Sequence, residues 1–328
     1  MGPDNRTPAA VLLLNLGGPD SLDAVRPFLF NLFSDREIIR LGPAFMQKPI
    51  ACMIAALRAG KTRDAYSLIG GRSPIRDITA AQAEALELKL KSVLPDMRVF
   101  VGMRYWRPYI KDVVCEMYRQ GIRQIIVIGL YPHYSVATTG SSVSELKNVL
   151  CDYPDIRTFE ILSWHDHPGY IDALAENIAE GIRASGMTEK DIHLLFSAHS
   201  LPVKFIDEGD PYVDHINGTI RAVTERFSIA WSLSYQSKSG PVKWLEPSTE
   251  SMLETLASRG VKNLLVVPVS FVSDHIETLY EIDILYKNMA AELGIKLMRI
   301  ESLNLSETFI SALQDMAMKG IMEAGWKE

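Results

Sequence analysis

Short apolar runs of strand length alternate with helix-length stretches along almost the whole chain. Ala10 to Leu16, Met97 to Gly102, Ile125 to Leu130, Arg157 to Leu162, Ile192 to Ser197, Ser228 to Tyr235, Leu264 to Val269 and Lys296 to Ile300 read as strands. Helical stretches separate them, among them Ile75 to Val93, Gly169 to Ala184, Pro211 to Arg226 and Ser306 to Met322. Strands that are apolar on both faces need helices above and below them, which selects parallel sheets in an α/β fold. The expectation is two similar Rossmann-like halves, each a small open parallel sheet flanked by helices. Residues 1–155 form the first half and 156–304 the second. The last helix, within 305–328, is expected to pack back on the first half. A dinucleotide fingerprint, GxGxxG, would belong directly after the first strand. Gly17-Gly18-Pro19 stands there instead, which removes the reason to expect a nucleotide-dependent oxidoreductase. The two glycines suit either a close ligand approach or a plain tight turn.

In open α/β sheets, ligands sit beyond the carboxyl ends of the strands. Two such ends carry chemistry here. The run VVPVSFVSDHIETLYEID, Val266 to Asp283, passes from a strand into a helix bearing Asp274, His275, Glu277 and Glu281. Glu277 and Glu281 are four apart and share a helical face. An imidazole with two carboxylates suits a divalent metal or proton transfer. A capping box from Asp274 to Glu277 with a solvated acidic face fits the same letters. The strand from His193 ends in Ala198-His199-Ser200-Leu201-Pro202. A lone histidine there is usually structural, but adjacent parallel strands would bring His199 and residues 274–281 to one rim. Arg104, Tyr105 and Tyr131 end strands of the other half and are expected to face the same cleft.

Residues 28–58 read as two short amphipathic helices, with Phe28, Leu29, Phe30, Leu32, Phe33, Phe45, Met46, Ile50, Met53, Ile54 and Leu57. They serve either as core or as an exposed apolar lip for a membrane or a flat apolar substrate. The formal net charge of −6 argues against a nucleic-acid partner. Cys52, Cys115 and Cys151 are far apart with no CxxC, so neither a disulfide framework nor a cysteine-built zinc site is expected. The N-terminal MGPDNRTPAA lacks signal-peptide regions, and no run of about 18 apolar residues suggests a membrane span. A cytoplasmic location is the expectation.

Six motifs together resemble ferrochelatase: LLLNLGGPDSLDAVRPFLFNLFSDREII, IGGRSPI, YPHYSVATTGSS, LLFSAHSLPVKFIDEGDPY, YQSKSGPVKWLEP and PVSFVSDHIETLYEID. The resemblance runs from about residue 10 to 320, and the SAHSLP and SDHIETLYEID motifs are its most specific parts. It implies a class II chelatase-like fold and insertion of ferrous iron into protoporphyrin IX, the last step of haem synthesis. It implies His199 as proton acceptor or metal ligand, and Glu277 on the opposite side of the macrocycle. His275, Glu281 and Asp274 would be the neighbouring chain that guides metal or protons, with Asp274 and Glu281 as secondary metal ligands. Tyr66, Arg104, Tyr105, Trp244 and Phe271 would face the porphyrin. The apolar lip would make peripheral contact with the inner face of the cytoplasmic membrane. An upstream protoporphyrinogen-oxidising enzyme is an expected partner.

Some members of that family carry a [2Fe–2S] cluster on a C-terminal cysteine trio and one internal cysteine. No cysteine follows Cys151 here and Val136 stands in the YPHYSVATTG segment, so no cluster and no permanent cofactor is expected, with Fe²⁺ as substrate. The competing readings are a coproporphyrin III ferrochelatase, a cobalt or nickel tetrapyrrole chelatase, and a non-enzymatic porphyrin or haem carrier. A carrier would keep the cleft without needing Glu277 and Glu281.

Overall fold

The structure is a computed structural model that describes residues 9–238, 240 and 242–326. The outermost parts of the spans 1–155 and 305–328, the leader reading over residues 1–8, and Ser239 and Pro241 lie outside the described residues.

The first sheet holds β1 (Ala9–Asn15), β2 (Arg98–Met103), β3 (Gln124–Gly129) and β4 (Arg157–Ile161) in the order β2-β1-β3-β4, all parallel. The second holds β5 (His193–His199), β6 (Trp231–Gln236), β7 (Asn263–Pro268) and β8 (Lys296–Arg299) in the order β6-β5-β7-β8, again all parallel. The two halves therefore repeat one topology without repeating letters. The domain boundary expected near Asp155 needs correction. β4 pairs with β3 from Gln124↔Arg157 to Ile128↔Ile161, so it closes the first sheet. Strand length and polarity looked alike on both sides of Asp155, and only pairing decides which sheet receives the strand.

Side chains alternate across each strand, and the alternation distributes the core. Ala10, Leu12 and Leu14 pack outward with Val114, Met117 and Leu146, from α4 (Ile110–Arg119) and α5 (Ser141–Leu150). Val11 and Leu13 face inward, into a cluster that continues through both halves. That shared cluster takes in Leu86 of α3 (Ile75–Lys91), Leu174 of α6 (Pro168–Ser185), Phe196 of β5 and Leu313 of the terminal helix Glu307–Glu323. The terminal helix packs on α3, α6, β3 and β4. One inner apolar layer thus ties both sheets together and holds their carboxyl rims in a fixed relation.

The lip is built from α1 (Val25–Ser34) and α2 (Gln47–Ser67). α2 runs for 21 residues, longer than the short helix expected, and ends on Tyr66 and Ser67. The two helices divide the alternatives left open by their sequence. Phe28 and Leu29 are buried, whereas Phe45 is 79% exposed, Met53 57% and Leu57 76%.

Gly17-Gly18 is a close approach, made by the chain itself rather than by a ligand. Gly17 takes φ +83° against Trp106. A Cβ on Gly18 would stand 2.5 Å from Ser73 Cβ in the Gly70–Pro74 loop, whose Ser73 N–H donates to Pro19 O at 2.8 Å. Gly18→Ala should therefore cost about 1–3 kcal/mol in urea unfolding. Gly60→Ala, with no atom within 4 Å of the added Cβ, should cost nothing. Equal stability of Gly18→Ala and the parent would contradict this close contact.

Candidate functional site

The order β6-β5-β7 places three carboxyl strand ends side by side, and each supplies one part of a single constellation. β5 ends in His199, β6 ends in Gln236, and the chain leaving β7 carries Ser270, Phe271 and the segment up to Glu277. His199 is held through its backbone: its N–H donates to Ser270 Oγ at 2.8 Å and its carbonyl accepts from the Tyr212 hydroxyl at 2.9 Å. The imidazole is thereby aimed at Glu277. His199 Nδ1 lies 2.9 Å from Glu277 Oε2, and Gln236 Nε2 donates to the same oxygen at 3.0 Å. Ser197 Oγ in turn donates to Gln236 Oε1. Among the described residues, neither His199 Nε2 nor Glu277 Oε1 has a hydrogen bond. These are the two atoms with capacity left for a metal or a proton.

Glu277 and Glu281 lie on a π-helical stretch, Glu277–Tyr286. Such wide turns are rare and concentrate at functional sites. The stretch does not start from a capping box closed by Glu277. Instead the His275 N–H donates to Thr278 Oγ1, and Thr278 Oγ1 donates to Asp274 Oδ1. Ser237, in a left-handed conformation with φ 66°, donates its hydroxyl to Glu281 Oε2.

Electrostatics separates these groups. Burial works against charge on His199, but the Glu277 charge and hydrogen bond, with Glu281 beyond, outweigh it and raise its pKa. Burial likewise opposes ionisation of Glu277. The His199 charge and hydrogen bond, then the nearby His275, outweigh that and hold Glu277 well below the carboxylate range. Glu281 has no such partner. Burial and the Glu277 charge push it up to about 7. The pairing thus favours the charged forms of His199 and Glu277 next to a carboxyl that changes charge near neutral pH, a combination suited to proton transfer.

The remaining expected residues divide. His275 is 5% exposed, with Nδ1 3.0 Å from Ser273 O and Nε2 3.8 Å from Glu277 Oε2. Phe271 packs edge-on against His199 and tilts over His275, with centroids 6.1 and 4.3 Å away. Tyr66 is buried near Glu277, whose charge adds to burial in raising its pKa. Trp244 rides on a bridge between its own backbone and Pro202, beside the His199 turn.

Three expectations are corrected. Arg104 and Tyr105 do not present their polar heads to a substrate. Arg104 Nη2 and the Tyr105 hydroxyl both donate to Asp35 Oδ2, at 2.8 and 2.6 Å, and Tyr105 is 1% exposed. They clasp the end of α1. Asp274 is no spare metal ligand, because Arg299, Thr278, Ser302 and Asn304 all donate to its carboxylate. Burial opposes its charge, yet Arg299 and these hydrogen bonds hold its pKa below the usual value. Finally, His199 and Glu277 do not stand on opposite sides of a macrocycle. A ring between them needs about 7 Å, two van der Waals contacts, and the gap is 2.9 Å. No ring fits between them.

Gln236, Ser237, Ser270 and Tyr212 belong to the site and were not singled out from sequence. Gln236 and Ser237 had a signal, since they end a strand next to β5; Tyr212 and Ser270 act through backbone contacts that letters do not reveal. A cavity of about 450 Å³ opens beside Glu281, lined also by Arg58, Lys61, Ser237, Lys238 and Tyr280. An apolar cluster of Phe28, Leu29, Tyr66 and Tyr105 meets Ile276 across the cleft.

The sequence pattern that defines ferrochelatases matches residues 8–321. A ferrochelatase of Geobacter metallireducens is 56% identical over 95% of this chain and 98% of its own. One from Synechocystis is 45% identical over 95% of this chain and 82% of its own. Among solved structures, SirB from Bacillus subtilis with Fe³⁺ superposes with a TM-score of 0.58 at 12% identity, covering 97% and 98% of the two chains. CbiX, described as the terminal enzyme of siroheme biosynthesis in denitrifying bacteria, gives 0.51 at 11%, covering 95% and 98%. These two likenesses bear on the fold, which is that of the class II chelatases.

The raised Glu281 carboxyl has a signature in stability. It favours the folded state while protonated. That contribution is complete below its ordinary value of 4.5 and is lost as pH rises through about 7. Glu281→Gln, neutral throughout, should raise the thermal midpoint at pH 8 by roughly 2–4 °C and leave it nearly unchanged at pH 5. A shift of the same size at both pH values would contradict the assignment.

Proposed function

The chain belongs to the ferrochelatase family, and from that premise we propose how its residues divide the insertion of ferrous iron into protoporphyrin IX, a lyase reaction that yields protohaem. The observation that carries the proposal is the His199–Glu277 pair, with a proton-exchanging Glu281 behind it and a cavity beyond.

Insertion breaks two pyrrole N–H bonds, forms Fe–N bonds in their place and releases two protons. In the resting site the pairing favours a charged His199 and an ionised Glu277. Fe²⁺, arriving at Glu277 Oε1, offsets the negative charge that holds the proton on His199. Metal binding therefore drives that proton off. The neutral imidazole can then accept the two ring protons in turn, passing each to Glu281 before taking the next. Glu281, poised near neutrality, takes protons onward to the cavity. Imidazole and carboxylate hold Fe²⁺ loosely enough to pass it on, where thiolates would retain soft or borderline metals. Among the described residues no three His, Cys, Asp or Glu side chains are grouped to hold a metal ion. The pair thus offers iron a transfer site, with the pyrrole nitrogens as its destination.

Tyr66, Phe271, Trp244 and the Ile276 edge supply the walls for the ring. Arg104 and Tyr105 act indirectly, by fixing the end of α1. The porphyrin carboxylates need cationic partners at the cleft mouth, and Arg58, Lys61 and Lys238 line the cavity there. No resident cofactor is proposed. The three cysteines lie on or between surface helices, unpaired.

Exposed Phe45, Met53 and Leu57 support peripheral contact with the inner face of the cytoplasmic membrane. No helix among the described residues is long and apolar enough to cross one. The same lip would receive porphyrin from a protoporphyrinogen-oxidising enzyme.

Two outcomes are expected. His199→Ala should still bind protoporphyrin, followed by Soret absorbance, while anaerobic Fe²⁺ insertion falls by about 100-fold or more. Near-normal turnover would remove His199 from the mechanism. In flotation with anionic vesicles at low salt, the parent should rise with the lipid and the double variant Phe45→Ser, Leu57→Ser should not. A parent that stays at the bottom would end the membrane proposal.

A further inference from the structure

Gln82 lies on α3, in the first half, and is completely buried. Its amide crosses the seam to the second half. Nε2 donates to Ser273 Oγ at 3.1 Å and to Asn304 O at 2.7 Å, and the Ser273 hydroxyl returns a long contact to Oε1 at 3.4 Å. Both partners are one step from the reacting pair. The Ser273 carbonyl faces His275 Nδ1, and His275 stands beside Glu277. Asn304, held at φ 39°, clasps Asp274 reciprocally: Nδ2 donates to Asp274 Oδ2 and Oδ1 accepts from the Asp274 N–H, both at 2.9 Å. Asp274 in turn receives Thr278 in the first turn of the π-helical stretch.

The helix that carries the amide is itself anchored to the first sheet. One helical turn before Gln82, Thr79 Oγ1 accepts from Asn15 Nδ2, at the end of β1. α3 is therefore tied to the rim of the first sheet at Thr79 and, one turn later at Gln82, to the start of the helix that carries Glu277. A buried amide left half-paired is costly, so this tie has one satisfied arrangement and resists slack.

We propose that Gln82 is a positioning residue for metal insertion: it sets Glu277 against His199 by fixing Ser273 and Asn304 from the opposite half. The inference rests on His199 and Glu277 being the reacting pair. It gives the first half a direct hold on chemistry located wholly in the second.

Gln82→Met preserves volume and removes both hydrogen bonds. Gln82→Glu keeps only the acceptor for Ser273, loses both donated bonds and sets a carboxylate oxygen against the Asn304 carbonyl. Fe²⁺ insertion into protoporphyrin is followed anaerobically against pH, together with the thermal midpoint. Gln82→Met should lower kcat by about tenfold or more and leave the porphyrin KM within about twofold. Its acid limb should move to lower pH, because a loosened Glu277 no longer raises His199. Gln82→Glu, which loses both donated bonds and buries a charge, should lose at least as much. A Gln82→Met protein that melts earlier but keeps kcat and its pH profile would overturn the role, as would a rise in porphyrin KM alone. If Gln82→Met is recovered only unfolded, Ser273→Ala cuts the next link and is read by the same criteria. His199→Ala, run alongside, separates the two failures. If it is active, the underlying reading falls. If it is inactive while Gln82→Met is unaltered, only the positioning role falls.

Discussion

The contact between His199 Nδ1 and Glu277 Oε2 is the interaction on which the rest of the site depends. Two charges removed from water repay their desolvation only when their geometry is good and their other hydrogen-bonding capacity is met. The surrounding structure supplies those conditions. Tyr212 and Ser270 fix the His199 backbone, and Gln236 adds a donor to the shared oxygen. Arg299 and three neutral donors tie down Asp274 at the base of the helix that bears Glu277. Parallel pairing is what makes this affordable. Adjacent strands end together, so the three groups meet without any loop having to fold back.

The two halves share a topology and differ in chemistry. Leu130 N–H donates to Leu14 O in the first, and Val269 N–H donates to Ser197 O in the second. Counting forward from these matched bonds places Leu16 where His199 stands, and Thr138 and Ser142 where Glu277 and Glu281 stand. One rim therefore carries the charge, and the other offers hydroxyls and apolar side chains. A flat apolar substrate with its reactive nitrogens at the centre fits such a division. In the proposed function the walls hold the ring, while the charged groups act on it from one face.

Much of this was legible in the chain. The apolar runs located the strands to within a residue or two, except that β6 starts three residues later than expected, because strands covered on both faces tolerate few polar letters. His199 stood out at a strand end, and Glu277 and Glu281 on the helix that follows one, where a bare charge adds no stability. The assignment of β4 was not legible, since pairing is non-local. Arg104 and Tyr105 were misread because an arginine at a strand end looks free until its partner, Asp35, arrives from 69 residues away. Asp274 failed for the same reason: its neutralising Arg299 comes from the next strand. The opposite-face placement failed because sequence yields which groups meet on a rim and is silent on the gap between them.

The most direct test of the account is a structure of the protein with metal-free protoporphyrin bound. The account predicts that His199 and Glu277 remain within hydrogen-bonding distance of each other on one face of the ring, with His199 Nε2 turned to the pyrrole nitrogens. A macrocycle lying between the imidazole and the carboxylate, or one seated away from both, would contradict it.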